Sequence, residues 1–390
     1  MSHAVDPLKT AGLQTVFQSL RRIKLAGKLF EANDRYRGRI WSSFLLTALV
    51  ALLGTSGNAA ASGLYVPNEN SGTVSEFQGV LESGTTPPHR VDSSNDMTGG
   101  GPSTVAFDSK GNMWVSDFFN NSIVQFSKSQ IAALKTNSAP TARIVIAEDD
   151  GDNLNGPEGI VFDANGNLWV GSELGQKILA YKPSQLTTSG NPTPNVILNA
   201  SSFSFSSPSL PIFYGGNLWV VDENISNGVG GTGEIFKYSK AQISGLSTGI
   251  HNIDPVLGIG YGGSGELEGL AFDTGGNIWV ADVEQSLIYK CTVNQLRRTG
   301  LFQNVTPAVI LNPTAITDGS PCTLSLDSPY GVAFDGLGNL YVGNVGSTGS
   351  DCFGTWPGFR RLASKRVGTR VRKFTSARTP VVRIWMPRTI

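Results

Sequence analysis

Phe162-Asp163-Ala164-Asn165-Gly166-Asn167-Leu168-Trp169-Val170 is the stretch on which the fold turns, because close copies of it recur along the chain. They are Phe107-Asp108-Ser109-Lys110-Gly111-Asn112-Met113-Trp114-Val115, Phe272-Asp273-Thr274-Gly275-Gly276-Asn277-Ile278-Trp279-Val280 and Phe334-Asp335-Gly336-Leu337-Gly338-Asn339-Leu340-Tyr341-Val342. A shortened copy, Phe213-Tyr214-Gly215-Gly216-Asn217-Leu218-Trp219-Val220, lacks the Asp. Each runs from apolar residues through a polar Gly/Asn turn to apolar residues with an aromatic, the pattern of two antiparallel strands joined by a hairpin. Gly and Asn supply the positive φ that such turns demand.

Leu64-Tyr65-Val66 reads as the second strand of a first, incomplete repeat, with Val74–Phe77 and His89–Val91 as its third and fourth strands. The aromatics Tyr65, Trp114, Trp169, Trp219, Trp279 and Tyr341 are then spaced by 49, 55, 50, 60 and 62 residues. Six copies at this period predict an all-β, six-bladed β-propeller of four-stranded antiparallel blades. Inner strands are expected at Gly101–Phe107 and Gly156–Phe162. In the last repeat, Arg370–Phe374 and Pro380–Trp385 are expected as third and fourth strands. No inner strand for the first repeat is recognisable, which leaves closure by side-chain packing or a truncated chain as alternatives. Between third and fourth strands a second signature places a Gln three residues after Ser127, Lys182, Ser239 and Thr292, and predicts a capped helical turn.

Of 390 residues, 47 are Gly, 20 are Pro and 15% are charged, a mixture that favours short strands and turns. The net charge of zero hides a segregation. Residues 1–61 hold eight Lys/Arg and three Asp/Glu, residues 62–353 hold 12 and 27, and residues 354–390 hold ten and none. An acidic body argues against nucleic acid as a partner. The run Phe44–Leu53, behind Arg35, Arg37 and Arg39 and ahead of Asn58-Ala59-Ala60-Ala61, reads as a secretion signal. It is shorter than the ~20 residues of a stable membrane span. Residues 1–61 are therefore expected to be an N-terminal extension and signal peptide, 62–390 the propeller, and the location secreted or periplasmic. In that oxidising setting Cys322 and Cys352 are candidates for a disulfide, whereas Cys291 on a strand reads as buried filler.

The unit Gly-Pro-x-Gly-hydrophobic-Ala-Phe-Asp followed by Gly-Asn-Leu-Trp-Val, seen with small variations at 156–170 and 328–342, resembles the NHL-type repeats of bacterial six-bladed propellers. It is similar to the streptogramin (virginiamycin B) lyase-like proteins and, more distantly, to the gluconolactonase family. The lyase resemblance implies a divalent metal and a histidine near the channel; beyond the signal this sequence has only His89 and His251, both outside the recurring hairpin. The gluconolactonase resemblance implies metal ligands drawn from Glu, Asp and Asn at the channel mouth.

Residues of those types stand at suggestive places. Glu158 and Glu268 begin inner strands, and Asp117, Asp222, Asp282 and Asn344 end second strands or follow them. Converging there, they would hold a hard cation such as Ca²⁺, the candidate cofactor; dispersed, they are solvated rim charges. The recurring Asp108, Asp163, Asp273 and Asp335 read as turn-formers, and Glu148–Asn153 reads as a solvated turn without the full calcium-loop pattern. No nucleophile elbow, phosphate cradle or zinc cluster is present. The expected function is an exported, monomeric propeller that binds a small-molecule or protein ligand. The alternative is a metal-dependent lactone-acting hydrolase or lyase with an acidic mouth. A third possibility is contact of the basic Arg360, Arg361, Lys365 and Arg366 with acidic polymers.

Overall fold

The computed structural model describes residues 63–68, 72–78, 89–92, 97, 100–134, 139–223, 233–261, 265–311, 326, 328–334, 338, 340–344 and 382–385. All belong to the second of the chain's two compact units, Leu46–Ile390. The architecture is an all-β propeller, and each blade is conveniently named by its aromatic. The Trp114 blade contains Pro102–Phe107, Met113–Asp117, Ser122–Phe126 and Ile144–Ala147 in that order. The Trp169 blade contains Pro157–Phe162, Leu168–Ser172, Lys177–Tyr181 and Val196–Asn199. The Trp219 blade follows with Pro208–Tyr214, Asn217–Asp222, Glu234–Tyr238 and Leu257–Gly260, and the Trp279 blade with Leu267–Phe272, Ile278–Asp282, Leu287–Cys291 and Val309–Leu311.

Four blades are thus complete among the described residues, where the sequence predicts six. Two further sheets have three strands each: Gly63–Asn68, Thr73–Gln78 and His89–Asp92 at one end of the array, and Pro329–Phe334, Leu340–Asn344 and Val382–Trp385 at the other. The expected fourth strand of the last repeat is a correction, since Val382–Trp385 pairs directly and in parallel with Leu340–Asn344. The expected third strand at 370–374, the signal segment and the Cys322/Cys352 pair all lie outside the described residues.

The recurring hairpin explains how the array holds together. In three copies the Asp accepts a backbone N–H two residues on, the Asn N–H and side-chain amide four residues on, and the tryptophan indole six residues on; the indole bonds are 3.2 Å for Trp114, 3.1 Å for Trp169 and 3.0 Å for Trp279. Gly166, at φ 79°, takes the left-handed position of its turn. These three tryptophans, and Tyr65 and Trp219 with them, each meet edge-on the Phe of the next blade's inner strand, with centroid distances of 5.0 Å for Tyr65–Phe107, 6.0 Å for Trp114–Phe162, 5.9 Å for Trp169–Phe213, 5.4 Å for Trp219–Phe272 and 5.9 Å for Trp279–Phe334. The Asp is therefore a turn-former, as expected, and it also aims the ring that joins blade to blade. The shortened copy has no such Asp, and the buried Trp219 Nε1 is left without an acceptor.

The Gln signature is also architectural. Each Gln accepts the backbone N–H three residues back through Oε1: Ser127 to Gln130 at 2.9 Å, Lys182 to Gln185 at 3.0 Å, Ser239 to Gln242 at 2.9 Å and Thr292 to Gln295 at 2.8 Å. Its Nε2 donates to a carbonyl just before the fourth strand, at Thr141, Thr193, Asp254 and Thr306. This stapled connection does more than decorate the rim. In the Trp219 blade it includes Gly249–Asn252, which adds a fifth, parallel strand to the Trp169 blade. In the Trp279 blade it includes Gly300–Asn304, which does the same for the Trp219 blade. A parallel bridge from Gly190 to Ile146 reproduces the arrangement between the Trp169 and Trp114 blades. Each of these blades covers its predecessor's outer edge, an otherwise exposed template for pairing. The wholly antiparallel expectation is corrected by these parallel additions.

Candidate functional site at the inner-strand mouth

Antiparallel pairing fixes which residues share an end of the propeller. Pro157 faces Ser172, Pro208 faces Asp222 and Leu267 faces Asp282, so inner-strand starts and second-strand ends lie together, opposite the hairpin turns. Among the described residues each of the five inner strands carries a register shift there, between Pro157 and Ile160 and between Leu267 and Leu270 for the two that bear glutamates. Such bulges re-aim side chains, and Glu158 and Glu268 sit inside them. The inner strands also approach closely: a Cβ on Gly159 would lie 2.4 Å from the Ser209 carbonyl, and one on Gly269 would lie 2.3 Å from that of Tyr330. Ser116 Oγ donates to the Glu158 carbonyl at 2.5 Å, fixing that backbone to the preceding blade.

A second recurring clasp positions the residue just past each second strand. Its N–H donates to the loop before the inner strand: Phe118 to Gly101 at 2.8 Å, Glu173 to Gly156 at 3.0 Å, Glu223 to Ser207 at 3.1 Å and Val283 to Glu266 at 2.9 Å. Two of the four positions are glutamates. The outcome is a carboxylate cluster drawn from three blades. Oxygens of Glu158, Glu173 and Glu223 lie within 4.8 Å of one another, and so do oxygens of Glu223, Glu266 and Glu268.

Glu223 and Glu268 are each only 7% exposed, and Glu223 Oε1 is buried without a hydrogen-bond partner. Burial, then the charges of Glu158, Glu268 and Glu173, push the Glu223 carboxyl well above the usual range. Burial, followed by Glu158, Glu266 and Glu173, does the same to Glu268. The Tyr330 hydroxyl is likewise raised, by burial and then by Glu268, Glu266, Glu223 and Glu158. An oxygen-only donor set of this kind suits a hard cation. At a Ca–O distance of about 2.4 Å, two ligand oxygens on one ion are at most about 4.8 Å apart, and the oxygens of each group lie within that limit.

Of the residues that the sequence singles out, Glu158 and Glu268 belong to this cluster. Asp117, Asp222 and Asp282 are buried but belong to neither group, and hold the loops at the mouth. Asp117 accepts from Gly101 N at 2.9 Å, Asp222 from Ser207 N at 2.8 Å and Asp282 from Gln285 N at 2.8 Å. Burial is the first cause that raises all three carboxyls, to about 6 for Asp222 and Asp282. Asn344 ends its strand at the equivalent register, opposite Pro329; its side chain lies outside the description. Glu173, Glu223 and Glu266 were not singled out from the sequence. The available signal was an acid adjoining a mouth-side strand end without recurring in every repeat.

The remaining candidates lie elsewhere. Asp149 binds Asn153 through both N–H and side-chain amide, so the Glu148–Asn153 turn uses that carboxylate internally, and it is less solvated than expected because both residues are buried. His251 lies on the added outer strand, its Nε2 at 2.8 Å from the Ser247 carbonyl. Cys291 is buried and its thiol donates to the Tyr261 hydroxyl at 3.3 Å, as filler would. The basic Arg360, Arg361, Lys365 and Arg366 lie outside the described residues. Among the described residues no helix is long and apolar enough to cross a membrane.

No protein-family model and no curated protein matches this chain. Solved structures of similar shape include virginiamycin B lyase from Staphylococcus aureus, at 11% identity, a TM-score of 0.44 and coverage of 77% of this chain and 78% of that one. They also include a protein of unknown function from Bacteroides caccae, at 13% identity, a TM-score of 0.45 and coverage of 73% and 83%. A gluconolactonase-family protein is 14% identical, with a TM-score of 0.38 and coverage of 62% and 72%. The structural neighbours of this chain include streptogramin B lyase and gluconolactonase-like β-propeller proteins.

Proposed function

We propose that residues 62–390 form a six-bladed propeller, exported behind a signal within residues 1–61 and monomeric, that binds an oxygen-bearing ligand through a divalent cation held at the inner-strand mouth. The observation that carries this reading is the buried, unpartnered Glu223 Oε1 at the centre of four further glutamates. Such a concentration of carboxylates is stable when a cation replaces the missing hydrogen-bond donors. The two three-stranded sheets supply the outstanding blades of the ring.

The same end of the molecule suggests the ligand. Leu174 and Phe119 are 55% and 45% exposed, and Leu174 and Phe118 both border Gly156 beside Glu173. A ligand with a carboxylate, carbonyl or hydroxyl toward the cation and an apolar body toward this lip fits both features. Calorimetric titration of the chain with Ca²⁺, Mg²⁺ and Mn²⁺ tests the reading. Saturable uptake below about 1 mM, the weak end for extracellular calcium modules, is expected, with at least tenfold weakening in Glu268→Gln. Absence of uptake by all three ions refutes it.

A second reading, a metal-dependent hydrolase or lyase acting on lactones, draws support from the same oxygen-only donor set at the mouth. When bound, the cation would polarise the lactone carbonyl. Turnover of a lactone panel by the cation-loaded chain, lost in Glu268→Gln, separates this reading from binding alone.

A further inference from the structure

We infer that the mouth holds two cations rather than one, with Glu223 as the carboxylate that bridges them. This rests on the cation-binding reading above and specifies its site. The five glutamate oxygens do not form one set around one point. They fall into two groups of three, Glu158/Glu173/Glu223 and Glu223/Glu266/Glu268, and only Glu223 belongs to both.

Each group is compact enough for one ion, since its oxygens are no further apart than twice a calcium–oxygen distance of about 2.4 Å. A carboxylate has two oxygens, and bridging carboxylates hold ion pairs about 3.5–4 Å apart. The Oε1 of Glu223 is the atom that such a bridge requires to be uncommitted: it is buried and has no hydrogen-bond partner, and its residue alone belongs to both groups. Charge agrees with geometry. With all five glutamates ionised on loading, one divalent ion would leave three uncompensated negative charges around a buried pair of side chains, and a second ion would reduce this to one.

The two half-sites are built by different blades. Glu158 comes from the inner strand of the Trp169 blade and Glu173 directly follows its second strand, while Glu266 and Glu268 flank the start of the Trp279 inner strand. Glu223, from the Trp219 blade between them, is clasped to Ser207 through its own N–H and so is held midway. Ions on both sides would therefore join three consecutive blades.

The full-length chain is dialysed free of metal and loaded with Mn²⁺ alone, with bound ion counted by equilibrium dialysis and coupling read by electron paramagnetic resonance. Two ions per chain and a spin-coupled spectrum are expected. Glu173→Gln and Glu266→Gln, each altering one partly buried ligand, should each fall to one ion with an uncoupled six-line spectrum. Glu223→Gln should abolish the coupling, circular dichroism confirming its fold. One ion per wild-type chain, or two without coupling, overturns the bridge and leaves the single-cation reading standing. No bound ion overturns both.

Discussion

Replacing Glu223 by glutamine should have opposite effects on stability with and without a bound cation. In the metal-free chain, one ionised carboxylate within 4.8 Å repels an ionised Glu223 by at least about 3–4 kcal/mol at an effective dielectric constant of about 20. Holding a carboxyl of ordinary pKa 4.5 neutral at pH 7 costs about 3 kcal/mol, at about 1.4 kcal/mol per pH unit. Even one ionised neighbour thus makes protonation competitive, and there are several. The sign follows from the raised native pKa. Below about pH 4.5 Glu223 is neutral in both states and costs nothing. As pH rises, the unfolded chain releases the proton while the native chain retains it, and native stability falls until the native group ionises. Glutamine resembles the neutral form without the protonation cost. Metal-free Glu223→Gln should therefore be more stable than wild type by up to about 3 kcal/mol at pH 7, a rise in melting temperature on the order of 5 °C. That advantage should shrink as pH falls toward 4.5. With saturating Ca²⁺ the order should reverse, because the wild type gains binding energy that the variant largely lacks. Thermal melts in chelator and in calcium, at pH 5 and 7, read both effects. A variant less stable than wild type in chelator at pH 7, or a wild-type midpoint indifferent to calcium, refutes the reasoning.

Three further outcomes test the scaffold. Trp279→Phe should cost about 1.5–3 kcal/mol more than Trp219→Phe in urea unfolding, because Trp279 donates to the Asp273 carboxylate whereas the Trp219 indole has no acceptor. Gln242→Ala should speed amide exchange at Gly249 and Ile253, which donate to Asn195 and Asn199 of the preceding blade, by roughly five- to tenfold, the loss of about 1 kcal/mol of local hydrogen bonding. Asp222 has its carboxyl raised to about 6, so between about pH 4 and pH 6 wild-type stability should fall by about 1.4 kcal/mol per unit from this group. Denaturant midpoints for Asp222→Asn across that range should show a correspondingly flatter slope.

The legible part of the fold was the part that repeats. Asp163, Asn167 and Trp169 recur because one hydrogen-bond pattern forms three of the hairpins and aims their rings, and Gln185 recurs because four of the described connections use the same staple. Both signatures lie away from the inner-strand mouth. The mouth residues vary from blade to blade: Phe118, Glu173, Glu223 and Val283 share one clasped position. No periodic reading could nominate Glu173 and Glu223 from that column, and Glu266 stands one residue before an inner strand. Asp117, Asp222 and Asp282 attracted notice because they do recur, and their recurrence reflects the loops whose N–H groups they accept. The added outer strands escaped notice for a different reason. Gly249–Asn252 and Gly300–Asn304 are short, and they pair with a neighbouring blade rather than with their own.

Those borrowed strands bear on how the chain matures as it leaves the ribosome. Asn199 is met by Asn252, 53 residues later. At roughly 5–20 residues per second, the Trp169 blade waits several seconds for its last partner, with Val196–Asn199 bare meanwhile. Maturation is thus vectorial: each newcomer seals the one before, and slowing synthesis between 200 and 250 should expose a sticky intermediate to chaperones.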